Sequence, residues 1–359
     1  MNLPLSSTTW TDRQDTPLRV LIVDDSVVAR TVLERIISAD PGYQVVHKTN
    51  TAHGALSFLE TAQVDLILLD VEMPGQSGLA ALPAILAIGG DARVVILSGN
   101  CDEGSAAAVE ALAQGASDIM SKPVSGSFGD KFSRALLARL ARIAGRETAS
   151  TGIEMPVRLR PAGHTQPLGC LGIGASTGGI HALGQLLANM RQPLGVPILL
   201  TQHLPPSFIP YFAVQLERMT DLPVKIGEQG DVLRADHIYV APGGANLLCR
   251  RSLGGQVSIM LSSERAPLSS LPAVDPMFSA MAQCYGPGAG GIVLTGMGRD
   301  GTAGARQIVG AGGWVIAQDE ASSVVWGMPG SVARAGLTSA LLDPSRMMAH
   351  IATIAGMPV

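Results

Sequence analysis

Charge and cysteine are both scarce in this chain of 359 residues. Charged residues make up 15% of it and hydrophobic residues 47%, and the formal net charge is −4. A chain without a basic excess is poorly suited to bind nucleic acid or an anionic membrane. The 4 cysteines form no CxxC pair. We therefore expect neither a structural zinc site nor a disulfide framework. This cysteine content is consistent with a protein of a reducing compartment.

Long apolar runs are also missing. No run approaches the roughly 18 residues that a membrane-spanning helix needs. Residues 1–17 lack the apolar core of a signal peptide. We therefore expect a cytoplasmic protein that does not insert directly into a membrane and has no nucleic-acid partner.

The chain alternates short apolar runs with helical patterns, first in "LRVLIVD", "DLILLD" and "RVVILSG", and later in "GCLGIG", "VPILLTQ" and "GGIVLTG". This alternation predicts an α/β protein with parallel sheets. Close-set strands and turn signals between residues 227 and 263 predict an antiparallel hairpin section. The predicted segments are a disordered 1–17, a doubly wound domain 18–145, a linker 146–166, and a Rossmann-like doubly wound domain 167–359.

Polar residues follow all but one of the predicted strands of the first domain. Asp24 and Asp25 follow "VLIV", Asp70 follows "LILL", and Ser98 follows "VVIL". Lys122 follows the fifth predicted strand, which lies in "SDIMSK", and precedes Pro123. Ligands bind outside the carboxyl ends of parallel strands. Any one of these residues could be a helix cap, but together they predict a site. Converging carboxylates call for a divalent cation, and Mg²⁺ suits an oxygen-only site.

Residues 18–123 resemble the receiver domain of two-component response regulators in "VDDS", "LLDVEMPGQSG", "ILSG" and "SKP". The resemblance implies a flavodoxin-like fold, a sensor histidine kinase as phosphodonor, and Mg²⁺ for phosphorylation. The roles that it implies are phosphorylation at Asp70, metal binding by Asp24, Asp25 and Asp70, and phosphate sensing by Ser98 and Lys122.

The second domain opens with the glycine-rich loop "GIGASTGG", which has two interpretations. A dinucleotide turn needs G-x-G-x-x-G and an acidic residue about 20 positions later. Here Thr177 stands in the slot of the third glycine, Gly178 comes one place late, and the next strand ends in Gln202 and His203. The loop also matches G-x-S-x-G, a strand-to-helix turn that exposes a nucleophilic serine, here Ser176.

A nucleophilic serine needs a base and a carboxylate that orients the base. His203 follows the next strand, and Asp300 lies in a loop after another apolar strand. The common order of α/β-hydrolases would instead require His350 as the base, but His350 lies in a predicted C-terminal helix. His181 and His237 lie on a helix and before a strand, outside any evident site loop.

The region 168–340 resembles the catalytic domain of the chemotaxis protein-glutamate methylesterases in "GIGASTGG", "TQHLPPSF", "YVAPGG", "AVDPMF" and "LTGMGRDGTAG". The resemblance implies a phosphorylation-regulated serine esterase, acting in chemotaxis adaptation on glutamate methyl esters of chemoreceptors and in some cases on glutamines. It implies no cofactor for the esterase chemistry, and inhibition by the unphosphorylated receiver. The implied site residues are Ser176 as nucleophile, His203 as base, Asp300 as orienting carboxylate, and Thr177 and Met297 as oxyanion candidates.

Two positions depart from these families. Ile119 stands where receivers often carry an aromatic residue, and Asn246 stands where methylesterases commonly carry a histidine. The first argues against signal relay through an aromatic rotamer, and the second predicts altered contacts on the substrate side. The alternative function is a response regulator whose output domain binds a dinucleotide or DNA, although no basic recognition helix is evident.

Overall fold

The chain forms two compact units, residues 1–152 and 153–359. The computed structural model describes residues 16–99, 102–123, 129–146, 157–161, 166–264 and 270–354. Almost all of the predicted N-terminal segment 1–17 lies outside these residues, and so does most of the predicted linker 146–166. Across the described residues, no helix is both long and apolar enough to cross a membrane.

The first unit contains a five-stranded parallel sheet in the order β2-β1-β3-β4-β5, which confirms the flavodoxin-like topology. The connection that follows β1 runs toward one edge of the sheet, and the later connections run toward the other. In chain order the elements are β1 (Leu18–Val23), α1 (Val27–Ser38), β2 (Tyr43–Thr49), α2 (Ala52–Leu59), β3 (Leu66–Asp70), α3 (Gly78–Gly89), β4 (Arg93–Ser98), α4 (Asp102–Gln114), β5 (Asp118–Ser121) and α5 (Asp130–Ile143).

Strand burial and helix caps fix the loops of this unit. Strand β3 is buried along its whole length, as expected for a central parallel strand covered on both faces. Ser26 and Ser77 cap the N-termini of α1 and α3, and their side chains accept hydrogen bonds from backbone N–H groups of the first turn. These caps end the loops that follow β1 and β3.

The second unit contains a seven-stranded sheet in the order β14-β13-β12-β6-β7-β9-β8 and a separate antiparallel pair, β10-β11. All pairings within the large sheet are parallel, so the predicted fold class is confirmed. The elements are β6 (Cys170–Ala175), α6 (Gly179–Ala188), β7 (Ile198–Gln202), α7 (Ile209–Glu217), β8 (Val224–Ile226), β9 (Ile238–Val240), β10 (Asn246–Arg251), β11 (Val257–Ser262), α8 (Val274–Tyr285), β12 (Ala289–Val293), α9 (Thr302–Gly310), β13 (Trp314–Gln318), α10 (Met328–Arg334), β14 (Ala340–Leu342) and α11 (Pro344–Ile354).

Strand β6 occupies the point at which the strand order reverses. The chain continues from β6 to β7 on one side, whereas β12, β13 and β14 add to the other side. Open α/β sheets bind ligands at the carboxyl ends of the strands beside such a reversal. The loops after β12, β6 and β7 therefore border the expected site.

Glycines in β6 serve helix packing. A Cβ atom on Gly172 would lie 2.5 Å from Met281 Sδ, and one on Gly174 would lie 2.5 Å from Val274 Cγ1. Both contacts are with α8, which covers this strand. The glycines therefore let α8 lie close to the sheet, a role that does not involve a dinucleotide.

We predict that Gly174→Ala destabilises the second domain, because the new methyl group has no space beside Val274. Overpacking of this kind lowers the free energy of unfolding by about 1–3 kcal/mol. Urea unfolding of the full chain measures the change.

Gly310→Ala is the matched control for this variant. Gly310 is the last residue of α9, and nothing lies within 4 Å of a Cβ atom built there. Alanine should stabilise that helix by about 0.5–1 kcal/mol. Equal stability of Gly174→Ala and the wild type would contradict the packing argument.

Candidate active site

Backbone and side-chain contacts hold the loop that carries Ser176. The Ser176 N–H donates to Thr295 O at 3.1 Å, and Ser176 O accepts from the Gly179 N–H at 2.8 Å. Ser176 O also accepts from Gln202 Nε2 at 2.9 Å. These partners lie next to β12, at the start of α6, and at the end of β7. The loop is therefore fixed by both strands beside β6, and the side chain of Ser176 is partly exposed.

Gly296 brings a second loop against Ser176. A Cβ atom on Gly296 would lie 2.7 Å from Ser176 Cβ and 2.5 Å from Met328 Sδ. Only glycine fits this position, so the backbone leading to Met297 passes directly beside Ser176. On the other side, Thr177 O accepts a hydrogen bond from Thr295 Oγ1 at 3.0 Å. The two predicted oxyanion residues, Thr177 and Met297, thus lie in the two segments that adjoin Ser176.

His203 and Asp300 are hydrogen-bonded. His203 Nε2 lies 2.8 Å from Asp300 Oδ2, and the His203 N–H donates to Ala175 O at 3.0 Å. Because a carboxylate only accepts, Nε2 carries the proton and Nδ1 is left as an acceptor. Ser270 Oγ lies 3.4 Å from Nδ1. In the part of the chain that the structure describes, Ser176 Oγ has no hydrogen-bond partner.

Asp300 accepts three more hydrogen bonds, all from backbone N–H groups. Val274 donates at 2.7 Å to Oδ2, and Asp275 and Gly301 each donate at 2.9 Å to Oδ1. Burial alone would raise the pKa of Asp300, but the bonds from His203 and from the start of α8 outweigh it, so its pKa is lowered. Asp300 is therefore a carboxylate at neutral pH and can orient the imidazole.

The other histidines weighed as bases or site residues, His350, His181 and His237, do not contact Asp300. His350 is on α11, where burial lowers its pKa. His181 Nε2 lies 3.2 Å from Gln185 Nε2 on α6, and His237 Nδ1 lies 2.9 Å from Ala235 O. Of the described histidines, His203 is the one that contacts Asp300.

Both ends of the Asn246 side-chain amide are hydrogen-bonded to backbone groups. Its Oδ1 accepts from the Ala273 N–H at 2.8 Å, and its Nδ2 donates to Glu264 O at 2.7 Å. It is buried. The side chain thus ties β10 to the segment that precedes α8. These two bonds give the residue a role in holding that segment, which the sequence pattern did not reveal.

Ser270 and Gln202 were missed in the sequence. Ser270 reaches His203 from a loop that no motif marked. Gln202 precedes His203 within "TQHLPPSF", and its position at a strand end was the available signal. Gln202 donates a hydrogen bond to Ser176 O. Bonds of this kind between a side chain and a backbone carbonyl occur at no fixed spacing in the sequence, so the sequence does not predict this pair.

In the first unit, the predicted acidic residues converge. One carboxylate oxygen each of Asp24, Asp25 and Asp70 lies within 4.8 Å of the others. Lys122 Nζ lies 2.7 Å from Asp24 Oδ2 and 2.6 Å from Asp70 Oδ2. Asp24 and Asp70 are buried, whereas Asp25 is exposed. A set of three carboxylates with one ammonium group suits a divalent cation.

The charges of this cluster shift one another's protonation. Burial raises the pKa of Asp70, and Asp24 adds to the rise, while Lys122 opposes it. Burial would lower the pKa of Lys122, but the two carboxylates raise it overall. The single positive charge of Lys122 therefore does not balance the negative charge of the three carboxylates in this pocket.

The remaining predicted residues of this domain lie on the neighbouring strands. Ser98 ends β4, is fully buried, and donates to Gly99 O at 3.1 Å. Ile119 is buried within β5. An aliphatic side chain at that position is packed in the sheet, so no aromatic rotamer is present there to move.

The structure thus combines a domain with the receiver topology and acidic pocket, and an α/β domain with serine, histidine and aspartate at adjacent strand ends. Family models agree with both halves: "CheB methylesterase" matches residues 171–351 and "Response regulator receiver domain" matches residues 20–127. The chain belongs to the CheB methylesterase family.

Relatives named protein-glutamate methylesterase/protein-glutamine glutaminase match along nearly the whole chain. One from Rhodopseudomonas palustris is 38% identical and covers 92% of each chain. Another, from Caulobacter vibrioides, is also 38% identical and covers 94% of this chain and 98% of the relative. The crystal structure of the Thermotoga maritima CheB methylesterase catalytic domain is 32% identical, with a TM-score of 0.51, and covers 53% of this chain and 100% of that one.

We predict that Asp300→Asn destabilises the second domain by about 1–3 kcal/mol at neutral pH, because an amide cannot accept all four hydrogen bonds. A lowered carboxyl pKa contributes stability that is present above the unfolded pKa, about 4, and is lost as the pH falls through the folded value. The deficit should therefore shrink at acid pH.

Urea unfolding at several pH values measures this deficit. The control is Asp236→Asn, since Asp236 Oδ1 accepts one backbone N–H from Gly195 and asparagine tolerates its positive φ of 57°. A deficit for Asp300→Asn that is the same at every pH would show that the ionised carboxylate contributes no stability there.

Proposed function

We propose that this protein is a phosphorylation-regulated protein-glutamate methylesterase that acts on chemoreceptors in chemotaxis adaptation. Ser176 is the nucleophile, His203 the base and Asp300 the residue that orients the base. The observation that carries the proposal is the bond from His203 Nε2 to Asp300, which leaves Nδ1 to accept a proton at the strand end next to Ser176. The names of the relatives support the substrate class.

The reaction proceeds in two halves. In the first, His203 Nδ1 takes the Ser176 proton as Oγ attacks the ester carbonyl, and the imidazolium then gives that proton to the departing methoxide. In the second, Nδ1 takes a proton from water, the hydroxide attacks the acyl-enzyme, and Ser176 recovers its proton. Asp300 stabilises the imidazolium in both halves. Each step has a residue that performs it, so we propose that ester hydrolysis needs no cofactor.

We assign the oxyanion site to the backbone at Thr177 and Met297. Helix α6 begins at Gly179, three residues after Ser176, and directs the positive end of its dipole toward this loop. Donors at such a site must face the position of the developing charge. The close approach of Gly296 to Ser176 supports this assignment, since it brings the adjacent Met297 backbone to the same place.

The same residues can release ammonia from glutamine. An amide carbonyl offers Ser176 the same kind of target, and the imidazolium protonates the leaving nitrogen in place of methoxide. The combined names of the relatives support both activities.

We predict that Ser176→Ala lowers methanol release from methylated receptor by about a thousandfold or more, because the acyl-enzyme cannot form. Radiolabelled methanol measured from receptor-containing membranes gives the rate. Ser252→Ala, in the turn between β10 and β11, is the matched control and should keep full activity. Near-normal release by Ser176→Ala would remove the serine mechanism.

We further propose that the first domain is phosphorylated on Asp70 by a sensor histidine kinase. Asp24, Asp25 and Asp70 would hold Mg²⁺, which when bound neutralises the charge that accumulates during phosphoryl transfer. Ser98 and Lys122 would then contact the phosphoryl oxygens. The three carboxylates within reach of one ion support this assignment.

Phosphorylation is proposed to activate the esterase by relieving inhibition. A phosphoryl group adds up to two negative charges and new acceptor oxygens at Asp70. The contacts of Lys122 with Asp24 and Asp70 must then rearrange, because Lys122 becomes a partner of the phosphoryl oxygens. Such local changes shift domain equilibria by about 1–3 kcal/mol.

We predict that a small phosphodonor with Mg²⁺ raises methanol release by the full chain about tenfold or more. Asp70→Asn should fold normally and show no response. Deletion of residues 1–166 should give similarly high release without phosphodonor. Asp130→Asn, at the start of α5, is the control and should respond fully. A deleted chain that is no faster than the unphosphorylated full chain would contradict inhibition by the receiver.

A further inference from the structure

Two carboxylates tie the start of α8 to the start of α9. Asp300 lies two residues before the first residue of α9 and accepts the N–H groups of Val274 and Asp275 at the start of α8. In return, Asp275 Oδ1 accepts the Gly304 N–H in the first turn of α9 at 2.7 Å. Each helix therefore presents a carboxyl group to the N-terminus of the other, where backbone donors lack partners within their own helix.

Close packing makes this connection rigid. A Cβ atom on Gly304 would lie 2.5 Å from Phe278 Cβ and 2.7 Å from Asp275 O. Asp275 O also accepts from Ser279 Oγ at 2.8 Å. The backbones of α8 and α9 are thus in direct contact at Asp275. Any shift between the two helices would move Asp300, and with it the hydrogen bond to His203.

We propose that Asp275 is a positioning residue of the esterase: by bonding α9 to α8 it holds Asp300 in line with His203, and its charge tunes the ionisation of the site. This inference rests on the proposed function. Asp275 itself does not contact His203 in the structure, so it acts through Asp300.

The charged surroundings of Asp275 are simple. Asp300 is a carboxylate that interacts with it, and His203, the residue after β7, is hydrogen-bonded to Asp300. The start of α9 contributes the N–H groups of Ala303 and Gly304, and the residue before the helix contributes that of Gly301. On β10, Arg251 bonds to Cys284 O at the opposite end of α8. Among the described residues, the charged group that acts most strongly on Asp275 is therefore the like charge of Asp300.

Burial raises the pKa of Asp275 to about 6, with repulsion from Asp300 adding to the rise and the α9 N–H groups opposing it. A carboxyl group whose pKa is raised on folding contributes stability that is full below the unfolded pKa, about 4, and is lost as the pH rises through the folded value. Ionisation of Asp275 therefore lowers the free energy of unfolding near neutral pH.

Two substitutions separate the hydrogen bond from the charge. Asparagine in Asp275→Asn can still accept the Gly304 N–H but is neutral, whereas Asp275→Ala removes both. We expect Asp275→Ala to lower kcat by about 10- to 100-fold, since small displacements of catalytic groups have effects of that size. Asp275→Asn should keep kcat to within about twofold.

The charge should appear in the pH profile. With one negative charge fewer, a protonated site is stabilised less, so the acid limb of kcat/KM for Asp275→Asn should move to lower pH by on the order of half a unit. The apparent Tm of Asp275→Asn should also rise relative to the wild type by about 2–4 °C between about pH 5 and about pH 7.5.

The experiment measures methanol release, its pH profile and Tm for the full-length wild type, both Asp275 variants, Ser176→Ala and Asp343→Asn. Asp343 is the matched control, because its Oδ1 accepts the Ser345 N–H at the start of α11, so Asp343→Asn should retain the wild-type kcat and acid limb.

Wild-type kcat and acid limb in Asp275→Ala would overturn the proposal. An equal loss of kcat in both Asp275 variants, or a Tm difference independent of pH, would also overturn it. Equal rates for the wild type and Ser176→Ala would reject the esterase mechanism instead, and the Tm profile would still test Asp275.

Discussion

The carboxylate of Asp300 is the point on which the second domain's site depends. It accepts hydrogen bonds from His203 and from the start of α8, and so joins the loop after β12, the residue after β7 and a helix that covers β6. These segments are distant in sequence. Helix α8 reaches this position only because Gly172 and Gly174 leave room for it on the sheet. The orientation of the His203 imidazole therefore depends on the two glycines of β6, because a side chain at either position would displace α8.

The two domains place acidic residues at strand ends but compensate them differently. Asp300 is surrounded by N–H donors, and its pKa is lowered. Asp70 shares one ammonium group with Asp24, and its pKa is raised. The first environment keeps a charge stable so that it can orient a neighbour. The second leaves excess negative charge, which suits the cation binding and phosphorylation that we propose for this pocket. The number of N–H donors around each carboxylate, more than its depth of burial, therefore accounts for the opposite pKa shifts of Asp300 and Asp70.

The sequence predicted most of the architecture because the long parallel strands are continuous apolar runs. It missed β8 and β14, which have three residues each and carry too little pattern. Ser176, His203 and Asp300 each follow a predicted strand, but only the observed order β12-β6-β7 makes these strands neighbours, and strand order is not encoded locally. The contact of Ser270 with His203 and the bonds of Asn246 arise from tertiary packing of a loop, for which the sequence has no periodic signal.

Strand β6 has a consequence for how the second domain folds. A strand with glycines at two interior positions has little tendency to form alone. Its partners on one side come much later in the chain: Cys170 pairs with Ala289 in β12, and Gly172 is covered by Met281 of α8. Such non-local contacts slow folding, because a long loop must close before they form. The central strand therefore cannot complete its pairing until β12 has been synthesised, and Ser176 and Asp300 can come together only after that point.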